Sequence, residues 1–300
     1  MRILFCLDSL DPRQVDPSYA AEAAAAEHAG LSFSLIDYEA LVHERNPERA
    51  VRKVKAPESG AEIGIFRGWM MTPAQYAALY AALEAKGIRL INTPEAYVHC
   101  HHLPESYSVI EGRTPKSVWI PGGPDFDIGK VMEILRPFGD GPLVLKDFVK
   151  SRKHEWVEAC FIPSASDRAA VERVVRRFVD LQSDLLAGGL VFREFVELEP
   201  VGRHPKSGMP LTREHRVFYL DGRPLLSFAY WSDLGQTDEG PPAGVFEAVA
   251  KQVRSRFFTM DVVKLKDGDW LIVELGDGQV AGLPEDSIAG KLYGALAAKA

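Results

Sequence analysis

Residues 258–275 read FTMDVVKLKDGDWLIVEL, and the fold turns on how this stretch doubles back. Asp267-Gly268 is the favoured pair for a two-residue hairpin turn. A turn there sets Asp261 across from Glu274, Val263 across from Ile272 and Leu265 across from Trp270. Two carboxylates then share an otherwise apolar face of the ribbon. Opposed Cβ atoms sit roughly 5 Å apart, and two like charges at that range repel by about 3 kcal/mol at an effective dielectric near ~20. A hard divalent cation reverses the sign, taking carboxylate oxygens as ligands and leaving its other positions to water and phosphate. The opposing reading is a pair of ordinary surface acids. A one-residue slip of register is enough for it, because the slip sends the acids to opposite faces.

A second hairpin is expected upstream, where REHRVFYLDGRPLLSFAYW (213–231) turns at Asp221-Gly222. One face carries Val217, Tyr219, Leu226, Phe228 and Tyr230; the other carries Glu214, Arg216, Phe218, Leu225, Ser227 and Ala229. An arginine held on a strand among small neighbours can reach a phosphate. It can equally pair with Glu214. Further upstream, 143–149 alternates as a strand that places Lys146 and Lys150 beside Val144 and Phe148. A lysine in such a strand either snorkels to the surface or marks an anion site. The neighbouring SRKHEW (151–156) makes a local basic patch that suits a loop over phosphates.

Around these elements the first hundred residues alternate strands and helices: strands at 3–7, 31–36, 61–66 and 88–92, helices at 19–30 and from Thr72 to Gly87. That order predicts a small parallel α/β sheet. From 93 to 116 the pattern is helical and then irregular. Beyond it come a strand at 116–120, a helix at 128–135, strands at 143–149 and 156–162, a helix at 167–186, a strand at 190–197 and a C-terminal helix from Asp286. The chain divides into 1–104, 105–189 and 190–300, with loops at 200–210 and 235–242.

Bulk properties exclude several classes. With 300 residues, 46% hydrophobic and 26% charged, the chain can bury more than one core. A net charge of −7 argues against a partner rich in phosphate such as nucleic acid or an anionic membrane. No run of 18 apolar residues suggests a membrane span. Three cysteines without CxxC spacing fit reduced thiols of the cytoplasm better than a disulfide framework or a zinc site.

Taken in order, PLVLKDFVK (142–150), LVFREFVELE (190–199), TREHRVFYLDG (212–222) and DVVKLKDGDWLIVELGDGQ (261–279) resemble the lysine strand, adenine hinge, phosphate-contacting strand and metal hairpin of the ATP-grasp superfamily. The pattern is similar to its R2K clade. The resemblance implies an N-terminal parallel α/β lobe followed by two α+β subdomains that clamp ATP. It implies that Lys146 and Lys153 contact ATP phosphates, that Glu194 and the backbone of Phe195 and Val196 hold adenine, and that Glu197 or Glu199 meets the ribose. Arg216 and Lys146 would serve the transferred phosphoryl group, and Asp261 and Glu274 would bind Mg2+. Relatives often carry an Asn two residues after the second acid; here that position is Gly276, and Asp277 or Gln279 is the expected substitute ligand. The implied activity is an ATP-dependent carboxylate–amine ligase acting on small-molecule acids and amines through an acylphosphate. The alternatives on the same scaffold are a phosphotransferase and a nucleotide-binding protein without turnover.

Two further features stand apart. Arg67, in IFRGWMM (65–71), ends an expected parallel strand, where open α/β sheets bind ligands; it is expected either to hold a substrate carboxylate or to pair with a neighbouring domain. His99, His101 and His102 match no metal spacing and read as a helix start or an interdomain contact.

Overall fold

A computed structural model describes residues 1–203, 210–230, 240–284 and 286–299. The expected loops at 200–210 and 235–242 lie mostly outside these residues. The chain forms two compact units: 1–100 with 216–260 and 275–300, and 101–215 with 261–274. The expected division into consecutive stretches therefore differs from the compact units, since residues from 190 onward are shared between both.

The first unit opens with β1 (Arg2–Cys6), β2 (Ser32–Ile36), β3 (Glu62–Arg67) and β4 (Ile88–Leu90), all parallel in the order β2-β1-β3-β4. Alternate β1 residues enter two cores, Leu4 and Cys6 on one face and Ile3 and Phe5 on the other. Burial on both faces is what a parallel sheet requires. The helix Ala20–His28 ends at Gly30, whose φ of +78° lets Leu31 N–H return to Ala26 O. Thr72 and Gln75 form a capping box for the helix Pro73–Glu84. Two short helices, Tyr38–Val42 and Pro47–Ala50, each start on an Asx cap, Asp37 accepting from Ala40 N–H and Asn46 from Arg49 N–H.

In the second unit, β5 (Ser117–Pro121), β6 (Leu143–Asp147), β7 (Phe161–Ile162) and β8 (Gly189–Glu194) form an antiparallel sheet in the order β5-β8-β6-β7. Leu143, Leu145, Leu190 and Phe192 bury one face with Val131, Val174 and Phe178 of the helices Ile128–Leu135 and Arg168–Gln182. Each such side chain contributes roughly 1.5–3 kcal/mol. The register leaves Val144, Lys146, Val191, Arg193 and Ser117 for the other face. The expected strand at 156–162 is mostly a π-helix, Trp156–Cys160. Phe161 N–H bonds Trp156 O, and that five-residue step stacks the two rings 5.5 Å apart.

β9 (Pro200–Arg203) and β10 (Pro210–Thr212) pair antiparallel, and β11 (Glu214–Leu220), β12 (Arg223–Ala229), β13 (Phe257–Lys264) and β14 (Trp270–Asp277) form a sheet in the order β12-β11-β13-β14. The β11–β12 turn is the expected one: Asp221 and Gly222 have φ of +50° and +71°, as a type I′ turn demands. β11 is buried on both faces rather than one, with Phe218 against Phe228 and Phe257.

Arg67 corrects the substrate-carboxylate expectation. It is 1% exposed, and its Nε and Nη2 donate to the two oxygens of Glu22 at 2.8 Å while Nη1 donates to Gly278 O (2.6 Å) and Ala281 O (2.8 Å). Tyr293 Oη donates to the same Glu22. Four of five guanidinium donors are thus spent inside the fold. Arg67→Met will leave Glu22 buried without its cation and lower stability by about 3–5 kcal/mol, measured by denaturant unfolding. Unchanged stability with a raised substrate KM would restore the original reading.

Candidate active site

Lys146 is 5% exposed on β6, and its ammonium donates to Glu274 Oε2 at 3.1 Å. A buried ammonium is tolerated only with such a partner. The strand stops at Asp147 rather than running to Val149. The Asp147 carboxylate caps the N–H groups of Val149 (2.7 Å) and Lys150 (2.5 Å) and accepts from Gln182 Nε2 (2.6 Å), which bends 148–150 into a turn. Lys150 is therefore an exposed turn residue, not a second lysine of the strand. Lys153 opens a short 3-10 turn on the surface. Burial pushes the Cys160 thiol up to about 11, with the charges of Lys153 and Lys146 both acting against it. Both cations therefore lie within electrostatic reach of one thiol.

The hairpin expected to bind metal differs from expectation at its tip. Gly268 N–H bonds Leu265 O and Leu265 N–H bonds Asp269 O, with Gly268 at φ +98°. This is a three-residue loop, not a two-residue turn. At the open end Gly278 N–H bonds Phe257 O, one residue out of step with the tip. β14 thus holds an extra residue between the two points, the signature of a β-bulge. The burial alternation locates it: Trp270 and Ile272 are buried, Val273 and Glu274 are both half-buried, then Leu275 and Asp277 are buried. The phase changes at 273–274. Asp261, on β13, is buried.

Arg193, which sequence reasoning missed, is also buried. Its Nε donates to Ser117 Oγ (3.2 Å), Nη2 to Thr114 Oγ1 (2.5 Å) and Nη1 to Val273 O. Burial pushes its guanidinium down to about 10, with the Glu274 carboxylate opposing. His101, the last residue of the helix Pro94–His101, is held by burial down to about 4; Glu274 raises it, whereas His102, Lys150 and Lys146 lower it further. It is neutral at pH 7. Both residues thus sense the Glu274 charge.

The hinge residues are partly committed. Glu194 N–H bonds Lys116 O and Phe195 N–H bonds Pro142 O, so the Phe195 amide is not the donor that adenine would use. The Phe195 ring, 37% exposed, packs on Phe161 at 5.3 Å and Trp156 at 6.2 Å. Val196 is half-buried beside it. Glu197 accepts from Lys266 (2.8 Å). Glu199 accepts from Arg213 (2.7 Å) and pairs with Lys264 (3.0 Å), and both hold its carboxyl below the usual range. These pairings give both acids structural duties that the ribose expectation did not foresee. In the first unit, Arg216 lies over the Tyr230 ring (5.0 Å) and donates to Gly282 O (3.1 Å).

Asp277 corrects the substitute-ligand expectation. It is fully buried, accepting from Asn92 Nδ2 (2.7 Å), Gln279 N (2.9 Å) and Gln279 Nε2 (3.1 Å), and burial raises its carboxyl to about 6. Gln279 itself bonds Tyr76 and Phe66 N–H. A Cβ at Gly276 would come within 2.7 Å of Thr259 Oγ1, so a longer side chain there needs Thr259 to move. Among the described residues no group of three His, Cys, Asp or Glu side chains gathers as a metal site. A hard cation takes carboxylate oxygens, and the acids expected to supply them are the buried Asp261 and the half-buried Glu274.

Residues 137–296 match the family described as ATP-grasp domain, R2K clade family 3. No curated protein matches the chain. Among solved structures, the chain is similar to a RimK domain ATP-grasp protein from Sphaerobacter thermophilus, with a TM-score of 0.59 at 14% identity over 99% of this chain and 98% of that one. It is similar to the D-cycloserine synthetase DcsG, at 0.59 and 14% over 100% and 99%. The ATP-grasp ligase PsnB, solved with precursor peptide PsnA2 and AMPPNP, gives 0.57 and 13% over 99% and 95%. At such identities the likeness is one of fold, and it is the expected mixed α/β fold of ATP-grasp proteins. Among the described residues no helix is long and apolar enough to cross a membrane.

Proposed function

Because the chain belongs to the ATP-grasp domain family R2K clade family 3, we propose that it is an ADP-forming ligase that joins a carboxylate to an amine at the expense of ATP. The observation that carries this reading is the buried Lys146 ammonium against Glu274, on the sheet face opposite the helices of the second unit. A cation and a metal-competent acid in contact form a site that a triphosphate with its metal can divide between them, Lys146 turning to a phosphate oxygen and Glu274 to the ion.

Asp261 and Glu274 would hold Mg2+, which when bound neutralises phosphate charge. Lys146 and Lys153 would bind the phosphates. Glu194, the Phe195 carbonyl and Val196 would border adenine, with the aromatic side of Phe195 excluding water. Glu197 or Glu199 would meet the ribose from within an ion pair, and Arg216, which now lies over Tyr230 and donates to Gly282 O, would meet the phosphoryl group. The substrate carboxylate would attack the γ-phosphorus as the bond to the β-phosphate oxygen breaks, releasing ADP. An amine would then add to the acylphosphate carbonyl, expelling phosphate and losing a proton. No side-chain nucleophile is needed, so catalysis rests on positioning and charge.

Since PsnB is solved with a precursor peptide and DcsG makes D-cycloserine, peptide acids belong beside amino acids in the substrate screen. ADP and free phosphate will appear only when acid and amine are both supplied. A stable phosphorylated product would instead make the protein a kinase, and ATP binding without ADP under every pairing would make it a binding protein.

A further inference from the structure

Arg193 is a buried guanidinium on β8, and none of its three hydrogen-bond acceptors is a carboxylate: they are Ser117 Oγ, Thr114 Oγ1 and Val273 O. A guanidinium buried without an ion-pair partner is retained at a cost. What its donors converge on is the segment 114–117 and one peptide of β14.

Thr114 acts on the same strand. Its hydroxyl donates to Ile272 O at 2.7 Å, and Ile272 N–H donates to Arg113 O at 2.7 Å. The carbonyls of residues 272 and 273 are thus both held from outside β14, one by Thr114 and the next by Arg193. In a regular strand successive carbonyls point in opposite directions. A bulge that turns the Val273 peptide out of the ladder accounts for both contacts, at the place where the burial alternation of β14 changes phase. The next side chain is Glu274, which meets Lys146.

We propose that Arg193, anchored by Thr114, is a positioning residue that aims the Glu274 carboxylate by fixing the bulge at Val273. The inference rests on the reading of Glu274 as a metal ligand, and it assigns Arg193 no contact with metal or nucleotide. Mutating outer-shell groups of this kind typically costs 10–100-fold in metal affinity. A lysine at 193 keeps the charge but has a single head that cannot span Ser117, Thr114 and Val273 together.

The test is Mn2+ affinity in the presence of AMPPNP, read by electron paramagnetic resonance on folded protein. Arg193→Lys will raise the Mn2+ Kd about 10–100-fold. Thr114→Val, which keeps the side-chain shape, will raise it about tenfold. Should Arg193→Lys not fold, Thr114→Val decides alone. A Kd within about twofold of wild type in the folded variants, while Glu274→Gln loses the ion, overturns the inference and leaves the ligase reading standing. Wild-type affinity in Glu274→Gln removes the metal assignment itself, and the inference with it.

Discussion

Replacing Glu274 with Gln will reduce magnesium-dependent ADP formation about 10³-fold in a protein that keeps its fold. The carboxylate side chain is 45% exposed, so its pair with Lys146 is screened by solvent on the acid's side and neutralising it removes little folding energy. The amide still accepts from Lys146 but is a poorer ligand for a hard cation than a carboxylate. The measurement is a coupled ADP assay over a magnesium titration, with circular dichroism as the check on fold. Turnover within tenfold of wild type at saturating magnesium would take Glu274 out of the metal site.

The second large effect is expected at Lys146. Lys146→Met keeps the length of the side chain and removes a buried charge, so the fold should lose less than about 1 kcal/mol, the remaining Glu274 charge being half in water. Catalysis should suffer far more. A point charge aimed at phosphate acts on ATP in the ground state and again as charge moves in the transition state, so KM for ATP should rise and kcat fall. Together these reduce kcat/KM about 10²-fold or more, near 3 kcal/mol. A residue present only for stability would give the reverse pattern, a lower melting temperature with unchanged KM.

The parallel sheet was readable because β2 ends before the cap Asp37 and β3 before Gly68, and because the helices Ala20–His28 and Pro73–Glu84 fall between strands. The lysine strand was readable for a similar reason: Lys146 interrupts an apolar run. Arg193 interrupts β8 in the same manner, between Phe192 and Glu194, yet it stood in a motif where the next residue drew the functional reading. The two Asp-Gly pairs show where local rules stop. At Asp221-Gly222 the distant partner Arg256 bonds the Asp221 N–H and carboxylate without disturbing the turn, and type I′ forms. At Asp267-Gly268 the neighbouring Leu265 bridges Leu198 and Lys266 N–H reaches Glu197 O, while Asp267 Oδ1 takes Asp269 N–H. Pairing with a distant segment thus reshapes the loop. The one-residue slip at the tip is matched by the extra residue that β14 holds before Gly278, where the burial alternation changes phase at 273–274.

The partners of Arg67 and Asp277 were hidden for another reason. A charged residue at a strand end or after a metal hairpin looks available when its partners lie far away in sequence. Glu22 is 45 residues from Arg67, and Asn92 is 185 residues from Asp277. No local pattern announces such pairs.

A structure solved with Mg2+ and AMPPNP tests the central claim most directly. The expected result is a metal about 2.0–2.1 Å from an oxygen of both Asp261 and Glu274, with Lys146 Nζ moved from Glu274 to a phosphate oxygen. A nucleotide seated away from Lys146, or a metal touching neither carboxylate, would contradict it.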